Sequence, residues 1–274
     1  SNIKLINSIY NLFNMSKKLW EASQTKKKRS NLYKYEKFLS KKYNLNIKQN
    51  YSRILKWTIN NPNKFWSSIW DFAGVKGIKK EKSYLSKILF KSKFLINSEL
   101  NFAENLLSKN DNSKAITFIS ENGYREVRSW KDLNLNVNKI ANFIKKINIK
   151  ENDRVAAYLP NLIETVEAFI ATTSLGAIWS SCSPDFGVEG VIERFAQIKP
   201  KVLIIADRYY YNGKEINIIE RLPHILKKIK SIKNIIIVNY PGKTYLKFEK
   251  INKIKINFWK EITKMKQKKI EFKR

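Results

Sequence analysis

Cysteine is all but missing: Cys182 stands alone among 274 residues, so no disulfide can close within the chain. A lone thiol suits a reducing compartment, and a cytoplasmic protein is the expectation. With no base near it in sequence, Cys182 reads as a small buried side chain rather than a nucleophile. Glycine is scarce, eight in all, and only Gly74 with Gly77 and Gly187 with Gly190 lie close together. A loop that holds a triphosphate by its backbone amides needs glycines in series followed by Lys, and no such run is present. His224, the one histidine, follows Pro223. It has no evident carboxylate partner, which predicts a surface residue and not a general base. No apolar run approaches the roughly 18 residues of a membrane span. The N-terminal stretch lacks an apolar core with a small-residue cleavage site, so no secretory leader is expected; its basic character leaves an organelle presequence open.

Acid is outnumbered, 23 Asp and Glu against 54 Lys and Arg, a net charge of +31. Such an excess ordinarily points to a polyanion. Only 9 of the 54 bases are Arg, whose planar fork nucleic-acid recognition favours. The surplus is Lys, accompanied by many Asn and Ile, a trio that an AT-rich codon pool produces. A solvated Lys-rich surface with no specific nucleic acid is therefore expected. A basic nucleic-acid-binding module is kept as an alternative, with Lys26-Lys27-Lys28-Arg29 as its motif.

What is present is concentrated between Arg154 and Asp207. Arg154–Leu159 and Val202–Ala206 are short apolar runs, and Ala177–Ser183 is a third strand candidate. Between them Leu162, Val166, Phe169, Ile170 and Thr173, then Val188, Val191, Ile192 and Phe195, repeat at helical spacing. Asn161 with Glu164 has the spacing of a capping box, Gly176 suits the position after a helix, and Pro200 stops the second helix. Alternating strands and helices predict an α/β fold, a mostly parallel sheet flanked by helices, with ligands beyond the strands' carboxyl ends. Glu164 and Glu167 read as acids on a helix's first turns, Glu151 and Asp153 as turn residues.

The same stretch carries a resemblance. Tyr158-Leu159-Pro160-Asn161, then GAIWSSCSPDFG from Gly176 to Gly187, and Tyr211-Asn212-Gly213-Lys214 resemble the acyl-CoA synthetases of the adenylate-forming superfamily. Within it they look like the acetoacetate–CoA ligase (acetoacetyl-CoA synthetase) family rather than the acetate or long-chain enzymes. Leu100-Asn101-Phe102-Ala103-Glu104-Asn105-Leu106-Leu107 resembles the signature that opens the family's large domain. PNKFWSSIWDFAGVKG, from Pro62, resembles the helical cap before it. The family has Gly where Asn152 stands, though Asn also tolerates a left-handed backbone.

The resemblance implies an N-terminal portion of such a ligase, under half its length. Residues 1–99 are then an extension and helical cap, and 100–274 part of the AMP-binding α/β domain. The family uses ATP, CoA and Mg2+ with acetoacetate. The phosphate loop, the adenine and ribose motifs and the catalytic lid are not written here, so no catalytic or metal-binding residue is assigned and inactivity alone is expected. An acetyl-CoA synthetase-like or other short-chain acyl-CoA ligase fragment, or a remnant of a split gene, are the alternatives. By position the family's CoA nucleotide falls on Asp185, Phe186 and Gly187, and on Tyr211, Asn212, Gly213 and Lys214. Gly213 would let the backbone approach and Lys214 would meet a phosphate. Relatives often have Arg at two of these positions, and Tyr211 and Lys214 in their stead weaken bidentate phosphate contact. Read as residues alone, the second segment is a tight turn between strand and helix, and both loops end adjacent strands.

Elsewhere, Tyr35, Phe38 and Leu39, then Tyr51, Ile54, Leu55 and Thr58, then Phe65, Trp66, Ile69 and Trp70 predict three helices with aromatic anchors in a core. Ala115–Ser120 and Tyr124–Arg128 predict a hairpin around Glu121-Asn122-Gly123, and Trp130 to Ile147 an amphipathic helix. Ile216 to Ile232 carries an apolar face, Ile235–Val238 reads as a strand, and Phe258-Trp259 leads into a short helix.

Overall fold

The computed structural model describes residues 19–47, 50–80, 82–83, 86, 88–244, 254–266 and 268–274. Residues 1–18, read above for a leader, and the start of the basic run at Lys247 lie outside them. The chain divides into two compact units, residues 1–75 with 80–96, and residues 76–79 with 97–274.

The first unit is helical: α1 (Gln24–Arg29), α2 (Asn31–Tyr43), α3 (Tyr51–Asn60) and α4 (Pro62–Ala73). Ser23, Ser30 and Asn50 cap the first three, each side chain accepting a backbone N–H three residues on. Pro62 opens α4, where its missing N–H costs nothing, and Gly74 at φ 62° closes it. Tyr35, Leu39, Ile47 and Ile54 are buried, with Phe38, Phe65 and Phe72 against them. The Tyr35 hydroxyl is satisfied by Ser68 Oγ at 2.6 Å. Three expected anchors are corrected: Tyr51, Leu55 and Trp66 are exposed. Helices this short bury one narrow stripe, and these residues lie beside it. The Lys26–Arg29 run forms α1, a helix with no buried residue.

The second unit is organised by a five-stranded parallel sheet in the order β11-β10-β7-β5-β6. Its strands are β5 (Arg154–Tyr158), β6 (Ile178–Cys182), β7 (Val202–Ala206), β10 (Asn234–Val238) and β11 (Lys255–Phe258). β7 and β10 are buried along their whole length, as their unbroken apolar runs require of strands covered on both faces. Two pairs of short strands, β1 (Gly77–Ile78) with β2 (Glu99–Leu100) and β3 (Lys114–Ile119) with β4 (Arg125–Ser129), are antiparallel. Helices α5 (Phe102–Leu106), α6 (Trp130–Lys146), α7 (Ile163–Ser174) and α10 (Trp259–Thr263) pack on one another, and α8 (Val188–Ile198) packs on α9 (Leu222–Lys228). The crossovers β5–α7–β6 and β6–α8–β7 run in opposite directions along the sheet, which puts α7 and α8 on opposite faces. Among the described residues no helix is long and apolar enough to cross a membrane.

Side chains from the LNFAENLL run tie this unit together. Asn101 Oδ1 caps α5, and its Nδ2 donates to the carbonyls of Thr173 at 3.0 Å and Lys273 at 2.6 Å. Glu104 receives Arg274 in a fork of 2.8 and 2.6 Å. Asn152 stands at φ 66°, the left-handed turn that its short polar side chain tolerates.

Two readings around α7 are corrected. Asn161 does not cap it: Leu162 N donates to Pro160 O at 2.8 Å, and this turn delays the helix to Ile163, with Leu162 as an N-cap lacking a side-chain bond. Val166 is exposed, while Glu167, Ala168, Ile170 and Ala171 are buried, because α5 and α6 cover the side expected to face water. Glu164 and Glu167 lie on the early turns of α7 as read, and Glu167 is fully buried. Asn136 Nδ2 donates to its Oε1 at 2.9 Å, and Arg128 Nε lies 3.0 Å from that oxygen without an N–H aligned on it. Burial pushes the Glu167 carboxyl up to about 8, against the downward pull of Arg128. Burial raises Glu164 too.

Candidate functional site

The strand order makes β5 the point where the sheet reverses: the chain leaves it for β6 on one side and returns to β7 on the other. The diverging crossovers leave a crevice beyond the carboxyl ends there, the place where open α/β sheets bind ligands. A cleft of about 370 Å³ occupies it. Its walls are Pro160 and Asn161 after β5, Ser183 and Asp185 after β6, and the tyrosines Tyr209 to Tyr211 after β7. A second hollow of about 450 Å³ shares Pro160, Asn161 and Tyr210 with it and is lined by Phe118, Leu162 and Tyr240.

The two loops singled out in the sequence are not at adjacent strands, since β5 lies between β6 and β7. Nor is Tyr211–Lys214 a turn between strand and helix. It is the tip of an antiparallel hairpin, β8 (Arg208–Tyr211) with β9 (Lys214–Asn217). Asn212 at φ 50° and Gly213 at φ 73° give the two-residue loop of positive φ that matches strand twist. The Asn-Gly pair between Tyr209 and Ile216 was the available signal. Hairpin and sheet are joined at Asp207 and Arg208, both buried. Asp207 Oδ1 accepts Tyr240 N at 2.8 Å, and Arg208 donates to Glu215 at 2.9 Å and Thr244 O at 2.6 Å.

Of the seven candidate residues, Asp185 and Tyr211 line the cleft together. Ser183 Oγ donates to Asp185 Oδ2 at 2.7 Å. Asn212, Gly213 and Lys214 are exposed at the hairpin tip, outside the cleft lining. The Gly213 N–H already donates to Glu121 Oε2 at 3.0 Å, so it is not waiting for a phosphate. Phe186 and Gly187 flank the cleft on the β6 side. Gly187 is the extended N-cap of α8.

Sequence reasoning missed two arginines. The Arg194 guanidinium lies 4.0 Å from the centre of the Phe186 ring, a cation–π stack. Arg221 Nη1 donates to the Tyr158 hydroxyl and lies 3.1 Å from Pro184 O and 3.3 Å from Phe186 O. The Tyr158 side chain, buried at the end of β5, reaches the same carbonyls, 2.6 Å from Phe186 O and 3.2 Å from Pro184 O. Burial raises its phenol above the ordinary tyrosine value, and Arg221 opposes that. Arg221 sits 63 residues from Tyr158, and no local pattern marks it.

Cys182 is buried and its thiol is pushed up by burial, which leaves it unreactive. His224 is exposed as expected, but the missing partner is corrected: Nε2 lies 3.1 Å from Glu189 Oε1. Among the described residues no cluster of three His, Cys, Asp or Glu could hold a metal ion. The cleft presents aromatic faces, hydroxyls and one carboxylate.

An acetoacetyl-CoA synthetase from Xenopus tropicalis is 38% identical over 200 residues, 70% of this chain and 29% of that protein. The acetoacetyl-coenzyme A synthetase of Rhizobium meliloti (strain 1021) is 36% identical over 193 residues, again 70% of this chain and 29% of the relative. The chain therefore spans about three-tenths of the length of these curated relatives. The solved acetoacetyl-CoA synthetase from Streptomyces lividans superimposes with a TM-score of 0.83 at 21% identity, covering 94% of this chain and 39% of that one, and shares the fold. The family model described as AMP-binding enzyme matches residues 104–267, more than half of the sequence, and the chain belongs to that family.

Proposed function

We propose that this chain supplies the N-terminal, CoA-facing part of an acetoacetate–CoA ligase. In that reaction a carboxylate attacks ATP to give an acyl-adenylate and pyrophosphate, and the CoA thiolate then displaces AMP. One observation supports the reading above others: the crevice at the sheet's reversal is lined by one residue from each of the two segments that the resemblance assigns to the CoA nucleotide, Asp185 and Tyr211, with the rest of both segments beside it. The tyrosines offer faces for a base, and Arg194 and Arg221 stand beside the loop. Asp185, Phe186, Gly187 and Tyr211 are its proposed CoA contacts, with Asn212, Gly213 and Lys214 at the outer end. No described residue is proposed to hold Mg2+ or the ATP phosphates. Residues 1–99 are proposed as the cap and 100–274 as part of the AMP-binding domain, in a cytoplasmic enzyme.

Calorimetric titration of the chain with CoA tests the assignment. Saturable binding that adenosine 3′,5′-bisphosphate competes for is expected; no binding of either refutes it. With ATP and acetoacetate the isolated chain is expected to release no pyrophosphate, and turnover would contradict the proposed division of labour.

A further inference from the structure

The loop from Ser183 to Gly187 has no regular structure of its own, yet two of its carbonyls are held from inside. Pro184 O and Phe186 O both point at the Tyr158 hydroxyl and Arg221 Nη1. Within a trans peptide the C=O of one residue and the N–H of the next point in opposite directions. Drawing these carbonyls inward therefore turns the N–H groups of Asp185 and Gly187 outward, where that of Asp185 makes a long contact with Ser183 Oγ at 3.4 Å. A neutral phenol satisfies one carbonyl at most, because it has a single proton. The guanidinium supplies the remaining donors as charged hydrogen bonds, roughly twice as strong as neutral ones. Arg221 reaches the loop from the 3-10 turn Ile219–Arg221, where Ile218 N and Ile219 N donate to Asp207 O at 3.0 and 3.1 Å. The lock thus links β5, the loop after β6 and the segment after the β8–β9 hairpin, the elements around the cleft.

We infer that Arg221, acting with Tyr158, is a positioning residue that sets the peptide orientation of the 183–187 loop for an incoming phosphorylated nucleotide. This rests on the proposed CoA reading of the cleft. Arg221 need not touch the nucleotide; it decides which way the loop's amides face. All three contacts come from one nitrogen, Nη1, fixed in place by the planar guanidinium, whereas the ammonium of Lys ends a shorter, freely rotating stem and is a poor replacement.

The test uses the 274-residue chain with Arg221→Ala, Arg221→Lys, Tyr158→Phe and the double variant Tyr158→Phe/Arg221→Ala. Amide hydrogen exchange across 183–190, without ligand, reads the lock. Calorimetry with adenosine 3′,5′-bisphosphate reads the consequence. Exchange is expected to quicken in Arg221→Ala, and affinity to fall about tenfold, the effect of roughly one charged hydrogen bond. Arg221→Lys should restore little, and the double variant should lose less than the product of the single losses. Unchanged loop exchange in Arg221→Ala overturns the lock. Faster exchange with unchanged affinity overturns positioning and leaves a purely structural role. If the parent chain binds no nucleotide, the CoA reading falls and the inference with it, and the exchange data show whether the lock itself exists. A lowered melting temperature with normal exchange at 183–190 also counts against the inference, because it reports lost stability alone.

Discussion

Replacing Glu167 by Gln should change how stability depends on pH. Glu167 is buried on the side of α7 that meets Asn136 of α6 and Arg128 of β4, near Glu164 and Glu126, and burial moves its carboxyl from the ordinary 4.5 to about 8. The folded protein then holds a proton that the unfolded chain gives up above the ordinary value. Stability from this group is complete below pH 4.5 and is lost as pH rises towards 8. At about 1.4 kcal/mol per pH unit, the full loss is on the order of 5 kcal/mol. Gln keeps the shape and can still accept from Asn136, and it has no proton to lose. Arg128 also has Glu126 at 3.0 Å, so the substitution does not strand its charge. Glu164 is raised in the same direction, but it is present in both proteins and largely cancels in the difference. Urea denaturation of parent and variant at several pH values reads the effect. Near pH 5 the two should differ little; by about pH 9 the variant should have gained roughly 3–5 kcal/mol relative to the parent. Parallel stability curves across that range would refute the idea that Glu167 is folded in as a neutral acid.

Three further substitutions test the packing and the turns. Gly242→Ala sets a methyl 2.8 Å from the Tyr124 ring at φ 73°, and a loss of about 1–3 kcal/mol is expected in thermal denaturation, whereas Gly213→Ala meets open space and should cost about 1 kcal/mol. Phe195→Ala empties a fully buried position on α8 and should cost about 3–5 kcal/mol, read from the denaturant midpoint at unchanged slope.

The periodicities that predicted β5, α7, β6, α8 and β7 are local, and so these elements lay within a residue or two of where the apolar spacing put them. The same holds for turns set by one residue, such as Gly176 at φ 69° and Asn152. The pattern of β8 and β9 is equally local: Asn212-Gly213 between alternating segments marks a hairpin and not the strand-to-helix turn expected there. Strand order is another matter. Which side of β5 the returning chain takes depends on the hand of the crossovers and on what each helix covers, and no window of sequence contains that choice. The cleft, the burial of Glu167 and the meeting of Arg221 with Tyr158 all follow from it. Each joins residues tens of positions apart, whose side chains have no reason to be neighbours until the core has packed.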